Sequence, residues 1–534
     1  MKSKIYIPLL VLAGFMTACV EDEGSYTYTP VNEINIDGIE DTYYGMAYSD
    51  VIEITPNITG SVKGEDISDY EYTWYRCRSG HVHDTISHEK DLVWPAQASP
   101  GTHTFYLSVK DNATGYEKNY STSIQLSSPF SRGFLILGNR PHTDNLVGLD
   151  MLAILNGRND TIYAKDVFDN SEHQLKNAKA LIYTGNMRLN RFYLQTEDAT
   201  YNPSFTTEFE TLGKEFNDLG LIECLEPHKV PMKLMDVGMR QGVHTAMPLS
   251  SLPRAYITED LAFAHKGTES MNLALNRYSA YSKDYFKFHP YLFYNTRKRL
   301  SHVTNDFSNA LTPILLYDVD YNCFSYMHGT ALQFTHMVQV QNTAPLMQNN
   351  IYMMNQPNGR TIVYGENDYY RSNGRCYAIM KDNDDRYFLY RFVLGMPGMG
   401  YVTQPTISDP YGCELKVAEI TNFLQREHMF FASGAASQMY YSVGNTLYAY
   451  DYVSKKLGSK TFDGHITYLA PEVCSIRNEI SHYWVATFDG DKGHLYKMKT
   501  VDNPNQIEFM ELEGQDWEID LEIKSVLWKA GSFY

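Results

Sequence analysis

The run His81-Val82-His83-Asp84-Thr85-Ile86-Ser87-His88 holds three histidines. On an extended strand His81 and His83 would project to the same side, as two ligands of one metal must. No acid or thiol stands at a familiar partner spacing, so the run reads as a solvated polar loop. Asp382, Asp384 and Asp385 in "KDNDDRY" crowd carboxylates as calcium loops do. An EF-hand loop needs oxygen ligands at positions 1, 3 and 5, and position 5 counted from Asp382 is Arg386. This stretch reads as a hairpin turn, as does "FDGDKGH" with Asp489 and Asp491. There is no H-E-x-x-H helix, no G-x-S-x-G elbow and no phosphate-binding glycine loop. Among 63 Asp and Glu residues, some pair will always fall at the ~5–10 Å that glycoside hydrolysis uses, and the sequence selects none. No catalytic residue, metal ligand or cofactor is assigned.

The first of the seven cysteines, Cys19, reads differently. Lys2 and Lys4 precede an apolar run, Ile5 to Ala18, that is too short for the ~20 residues a membrane helix needs. A charged start and a short apolar stretch make a secretory signal. Met16-Thr17-Ala18-Cys19 resembles the bacterial lipobox, with Met16 where Leu is usual. That resemblance implies cleavage before Cys19 and acylation of its thiol, which anchors a domain without spanning the bilayer. Glu21, Asp22 and Glu23 follow at once. Acids directly after the lipidated cysteine resemble the export signal that carries some Gram-negative lipoproteins to the outer face of the outer membrane.

The remaining 516 of 534 residues exceed one compact domain. Losing Lys2 and Lys4 takes the formal charge from -18 to -20, which argues against nucleic acid as a partner. The other cysteines, Cys77, Cys224, Cys323, Cys376, Cys413 and Cys474, are far apart and spell no disulfide framework. Tyrosine is abundant, 43 against 5 tryptophans. Tyrosine suits strands and half-buried surfaces, and it also builds aromatic platforms for sugars or peptides.

The elements are strands. "DVIEITPNI" alternates, "YEYTWYRCR" carries Trp74 mid-strand, and Phe105, Leu107 and Val109 alternate before a turn at Asp111–Gly115 and a returning strand to Leu126. A central tryptophan in about 100 residues fits an immunoglobulin-type sandwich. "YTWY" followed by "YLSVKDNATG" resembles a PKD-type module. "CVEDEGSYTYTPVNEI" is similar to the start of the PKD-like lipoproteins encoded beside SusCD-like outer-membrane importers. After the joint "SSPFSRG", the pattern Leu-Tyr-x-large recurs at Leu389, Leu447 and Leu495, 58 and 48 residues apart. That period with strand-turn-strand content predicts propeller blades, seven or eight in the space available. "RFYLQTED" and "LLYDVDYN" read as degenerate copies. Pro227–Pro290, with a helix around "TESMNLALNRYSAYSKDYF", reads as an insertion on one face.

The expected fold is therefore all-β: a signal at 1–18, an acidic tether at 19–30, an immunoglobulin/PKD-like sandwich at 31–128 and a β-propeller-like domain at 133–534. The family resemblance implies a non-catalytic surface lipoprotein, an accessory subunit of a SusCD-like importer that captures oligopeptides or glycans. Neighbouring genes of that family often include a metallopeptidase, which points to peptides. The alternatives are a surface-tethered propeller glycoside hydrolase or lyase, and an adhesin. Asp84-Thr85-Ile86 and Asp160-Thr161-Ile162 also resemble a bacterial O-glycosylation triplet.

Overall fold

The structure is a computed structural model. It describes residues 30–529 other than 79–81, 129, 131, 155–160, 168–169, 172, 184–191, 206–208, 216–233, 240–253, 260, 266–275, 277–284, 295–313, 328–337, 340–358, 369–373, 396–405, 433–436, 473–481 and 502–505. Two compact units divide between Leu126 and Ser127, just ahead of the joint expected from the Ser/Pro-rich stretch. Among the described residues the only helices are two 3-10 turns, Val417–Glu419 and Phe423–Gln425.

Among the described residues the first unit is a sandwich of nine strands: β1 (Ile34–Asp37), β2 (Thr42–Met46), β3 (Val51–Ile54), β4 (Asn57–Gly60), β5 (Tyr70–Arg78), β6 (Val82–Ser87), β7 (Leu92–Pro95), β8 (Gly101–Asp111) and β9 (Glu117–Ser127). One sheet runs β2-β9-β8-β5-β6, and β1-β4 and β3-β7 pair separately. The period of two sends Trp74, Phe105, Leu107, Val109 and Ile124 into one core with Ile34, Ile54 and Leu92. Trp74 is fully buried, and its Nε1 donates to the Lys90 carbonyl at 3.1 Å. The predicted hairpin turn is present, with Gly115 at φ +72° where a Cβ is disfavoured. Asp111, at the head of that turn, accepts from Ala113 N (2.9 Å), Lys63 Nζ (2.9 Å) and Asn32 Nδ2 (3.0 Å). Lys63 and Asn32 hold its carboxyl down at about 2.

The loop expected at the histidine run is instead strand β6, paired with β5. It lies at the sheet edge with polar residues on both faces, so the run lacks the apolar alternation that marks a strand. His83 lies on this strand, while His88, beyond its end, meets Thr73 Oγ1 at 3.3 Å. His81 lies outside the described residues.

Among the described residues the second unit contains seven sheets, each built from strands consecutive in sequence apart from the first. That arrangement is a β-propeller. The first blade takes Gly133–Asn139, Val147–Ile154 and Thr161–Ala164 from the start of the unit and Glu522–Lys529 from its end. Blades two, four, five, six and seven have four strands each, and blade three has three among the described residues. Their first strands are Ala178–Tyr183, Leu234–Met239, Phe288–Tyr294, Thr361–Asn367, His428–Phe431 and His465–Pro471 in chain order. Contacts run from first strand to first strand around most of the ring, with Glu522–Lys529 between blades seven and two. The apolar cores lie between adjacent blades, because each sheet buries both faces against its neighbours. Tyrosine fills these seams: Tyr377 stacks on Phe431 at 4.3 Å across blades five and six, and Tyr440 meets Tyr483 at 5.0 Å across six and seven. Such pairs contribute about 0.5–1.5 kcal/mol beyond burial.

The Leu-Tyr-x-large repeat marks equivalent positions. Leu389, Leu447 and Leu495 all fall on the third strand of their blades (Tyr387–Gly395, Thr446–Asp451, Gly493–Lys499) and all are fully buried. The two degenerate copies do not correspond to them. Phe192–Thr196 and Ile314–Asp318 are second strands, and they look alike because strands buried on both faces share apolar, aromatic runs. Pro227–Pro290 is not an insertion, since it supplies the three strands of blade three. The helix expected at 268–286 falls mostly outside the described residues. Asn276 from that stretch is buried, with its side chain between Ala262 N (3.1 Å) and the Phe286 carbonyl (2.9 Å).

The ring closes through charge as well as backbone. Glu522–Lys529 pairs with Gly133–Asn139. Arg140 grips buried Asp150 with both terminal nitrogens and also reaches the Asp520 carbonyl (3.1 Å) and Asp166 (2.7 Å). Tyr163 donates to Asp150 at 2.5 Å and accepts from Asp520 N at 3.1 Å. This network ties the turn before the last strand to the first blade.

Candidate functional site

The first strand of blade five, Thr361-Ile362-Val363-Tyr364-Gly365-Glu366-Asn367, brings three blades together. Asn367 clamps blade four: it accepts from Tyr294 N at 3.0 Å and donates to the Leu292 carbonyl at 2.7 Å. Gly365 admits blade four closely. A Cβ there would stand 2.7 Å from Phe293 Cζ and 2.8 Å from Tyr291 Cβ. Tyr364 lies 6.4 Å, ring to ring, from Tyr291 of blade four.

Toward blade six the contacts are polar. Glu366 Oε2 accepts from Phe431 N at 2.8 Å and lies 3.0 Å from Tyr364 Oη, which lies 2.8 Å from the Met429 carbonyl. The tyrosine has one proton and the carbonyl can only accept. Both contacts are satisfied when Tyr364 donates to Met429 O and Glu366, protonated, donates to Tyr364. The electrostatics agree. Burial, with Asp368 adding to it, pushes the Glu366 carboxyl up to about 8, against the opposing hydrogen bonds from Phe431 N and Tyr364. Burial also drives the Tyr364 phenol upward and lowers the nearby Arg426 guanidinium. Arg426 lies over the Phe423 ring at 4.3 Å and donates to the Phe423 carbonyl at 3.0 Å. The first strands of blades four and five thus offer two tyrosines and a neutral carboxylic acid, and the turn before the first strand of blade six adds the Arg426 guanidinium, all half-buried. Such a set donates hydrogen bonds to a polar ligand, and Glu366 can also give up a proton at neutral pH.

A second buried cluster lies at blade seven. Glu472 contacts Lys497 Nζ at 2.9 Å and His482 Nδ1 at 3.2 Å. Burial pushes its carboxyl up, but His482 and Lys497 outweigh this and hold it below the ordinary glutamate value. Lys497 also sits over Phe134 and Trp484. Every charge here is matched within the protein, so the cluster joins blade seven to blade one.

The residues singled out in the sequence do not converge. Cys19, Glu21, Asp22 and Glu23 lie outside the described residues. Asp382 accepts from Asp384 N (3.0 Å), Arg386 N (2.9 Å) and Arg386 Nε (2.8 Å), a turn that consumes its carboxylate. Asp385 holds the turn's positive φ of 60°. Asp489 accepts from Asp491 N and Lys492 N at 2.8 Å, and Asp491 meets His142 at 2.6 Å. Among the described residues no group of three or more His, Cys, Asp or Glu is placed to hold a metal. Cys376 and Cys413 are free thiols; Cys77 lies on β5 and Cys323 opens the third strand of blade four, and Cys224 and Cys474 lie outside the described residues. Of the two glycosylation-like triplets, Thr85 is exposed on β6 with Asp84 paired to Arg76 at 3.0 Å. Thr161 opens a first-blade strand, and Asp160 lies outside the described residues. Sequence reasoning passed over Glu366, whose only local sign is an acid one residue beyond a glycine in an apolar strand.

Residues 19–169 match the PKD-like family. The PKD-like region spans the whole sandwich and continues through the three N-terminal strands of the first blade. Among solved structures the chain is similar to a quinoprotein alcohol dehydrogenase-like protein of Bacteroides thetaiotaomicron, at 9% identity and TM-score 0.23 over 94% of this chain and 100% of that one. It is also similar to the extracellular domain assigned to a one-component system of B. thetaiotaomicron, at 7% identity and TM-score 0.33 over 77% and 52%. A third likeness is to the WD40 domain of SCAP from fission yeast, at 10% identity and TM-score 0.21 over 72% and 74%. At such scores these likenesses decide nothing about chemistry, and the propeller stands on its sheet order. Among curated proteins no match is found.

Proposed function

We propose that this chain is a lipid-anchored protein of the outer membrane, facing the cell exterior. There it serves as an accessory binding subunit of a SusCD-like importer and captures oligopeptides or glycans. The observation that carries this reading is where the PKD-like match begins: at Cys19, the residue at which a lipoprotein signal would be cut and acylated. Two acyl-type signals suffice to hold a soluble domain on a bilayer, and the acids Glu21, Asp22 and Glu23 supply the export feature. The half-buried tyrosines and neutral acid on the first strands of blades four and five, with the Arg426 guanidinium in the turn before blade six, suit ligand capture, as do the broad faces of a propeller.

The test is made in the cell that produces the protein. Cys19→Ala moves the chain out of the membrane fraction, and replacing Glu21, Asp22 and Glu23 by Ala keeps it membrane-bound but shields it from protease added to intact cells. Membrane retention of the Cys19→Ala protein contradicts the anchor.

A second reading, a propeller glycoside hydrolase or lyase, is favoured by one feature: Glu366 is a carboxyl held protonated at neutral pH, as a general acid must be. Polysaccharide cleavage abolished by Glu366→Gln supports it. Cleavage that is absent, or that survives this change, removes it.

A further inference from the structure

The outer face of the five-stranded sandwich sheet is ordered in rows across its strands. One row sets Thr85, Tyr75, Tyr106 and Ser121 side by side on β6, β5, β8 and β9. Tyr75 and Tyr106 stack at 5.3 Å and 12°, and His83 closes edge-on against Tyr75 at 5.0 Å. Both tyrosines are half-buried, and Thr85 and Ser121 are exposed. The adjoining row continues through Thr104 and Ser123, and the row on the other side through Thr73, Ser108 and Asn119. Acids and amines on this face of the paired strands β5, β8 and β9 stand together in one end row, Glu71, Lys110 and Glu117. There Lys110 meets Glu71 at 4.0 Å, and Glu117 accepts from Ser108 Oγ at 2.6 Å.

One residue in five of this chain is charged, and the net charge is -18. Three successive rows to which β5, β8 and β9 contribute no carboxylate or amine of their own therefore differ sharply from the rest of the chain. An acidic ligand would find no lysine or arginine in these rows, and a basic one only the Glu117 carboxylate at their edge, which the Ser108 hydroxyl already engages. A neutral polyhydroxylated ligand finds both of its needs. Its C–H faces pack on a rigid tyrosine pair, and its hydroxyls exchange hydrogen bonds with Thr, Ser and Asn side chains that donate and accept. Tyrosine stacked in place also loses little side-chain entropy on binding.

We infer that this sheet face binds a neutral glycan through the Tyr75–Tyr106 stack. The inference rests on the binding reading above, gives it a ligand class and a location, and does not depend on the importer.

The experiment is affinity electrophoresis of the mature full-length chain through native gels. Each gel holds one neutral polysaccharide, a panel of glucans, mannans and galactans, and polygalacturonate serves as the acidic comparison. At least one neutral polysaccharide is expected to retard the protein. The Tyr75→Ala/Tyr106→Ala variant is expected to bind it at least tenfold more weakly with its melting temperature unchanged. Thr85→Lys/Ser121→Lys alters exposed positions only and gives the same loss even where the alanine pair unfolds. Unchanged retardation in the lysine variant places binding elsewhere and overturns the inference. So does retardation by polygalacturonate alone, the absence of retardation by any neutral polysaccharide, or Tyr75-dependent binding of oligopeptides instead. Glycan binding lost while an importer still co-purifies refutes this inference alone; the reverse result refutes the importer reading alone.

Discussion

Replacing Glu366 by Gln is expected to stabilise the propeller at neutral pH and leave it nearly unchanged at pH 5. An acid whose folded value is raised stabilises most below its unfolded value, and that stability is lost as pH rises through the folded value. For Glu366 the window runs from 4.5 to about 8. Each pH unit inside it is worth about 1.4 kcal/mol, so the full window amounts to ~3–5 kcal/mol, the lower end allowing for the part of the residue that water reaches. Glutamine stays neutral throughout. Its carbonyl, standing where Oε2 stands, can accept from Phe431 N, so the seam between blades five and six keeps that bond. The variant should gain ~3–4 kcal/mol over wild type at pH 7.5 and differ by less than about 1 kcal/mol at pH 5. With unfolding entropy near 2.1 cal/mol/K per residue in a unit the size of 127–534, that gain is ~4–5 °C in melting temperature. Calorimetry of both proteins across pH 5–8 reads the difference directly, and groups shared by the two cancel. A difference that stays flat with pH, or a glutamine variant that is less stable at pH 7.5, refutes a protonated Glu366.

Three further outcomes follow from the packing. Gly365→Ala drives a Cβ into Phe293 and Tyr291 and should cost the propeller about 1–3 kcal/mol, seen as a lower denaturation midpoint with the sandwich transition unmoved. Asp150→Ala leaves Arg140 without its buried partner and should cost about 3–5 kcal/mol, with hydrogen exchange rising first in Glu522–Lys529. Asp111, held down at about 2 chiefly by Lys63 and Asn32, contributes stability that is present above its ordinary value near 3.8 and is lost as pH falls toward 2. Asp111→Asn should flatten the acid limb of sandwich unfolding followed by Trp74 fluorescence, and an acid limb identical to wild type contradicts that assignment.

The sandwich hairpin and the three late blades were legible because their signals are local. Alternation at Phe105, Leu107 and Val109 and a glycine turn declare β8 and β9 within a few dozen residues. Leu389, Leu447 and Leu495 occupy the same buried place on third strands, so their neighbours were selected alike. The closure of the ring was not legible. Gly133–Asn139 pairs with Glu522–Lys529, and no local pattern records a partner so far along the chain. The histidine run was misread because an edge strand with polar residues on both faces lacks the apolar alternation that marks a strand. Glu366 was passed over for a similar reason: its raised proton affinity comes from burial, against the opposing hydrogen bonds of the Phe431 amide and Tyr364, and only the packing of blades five and six creates that burial.

The central claim is that this chain works as an accessory binding subunit beside an importer. The most direct test is affinity purification of the full-length protein from outer membranes in mild detergent, with mass spectrometry of what accompanies it. A SusCD-like transporter and its lipoprotein partner recovered in fixed ratio, with peptides or glycans carried along, is the predicted result. Recovery of the chain alone contradicts it.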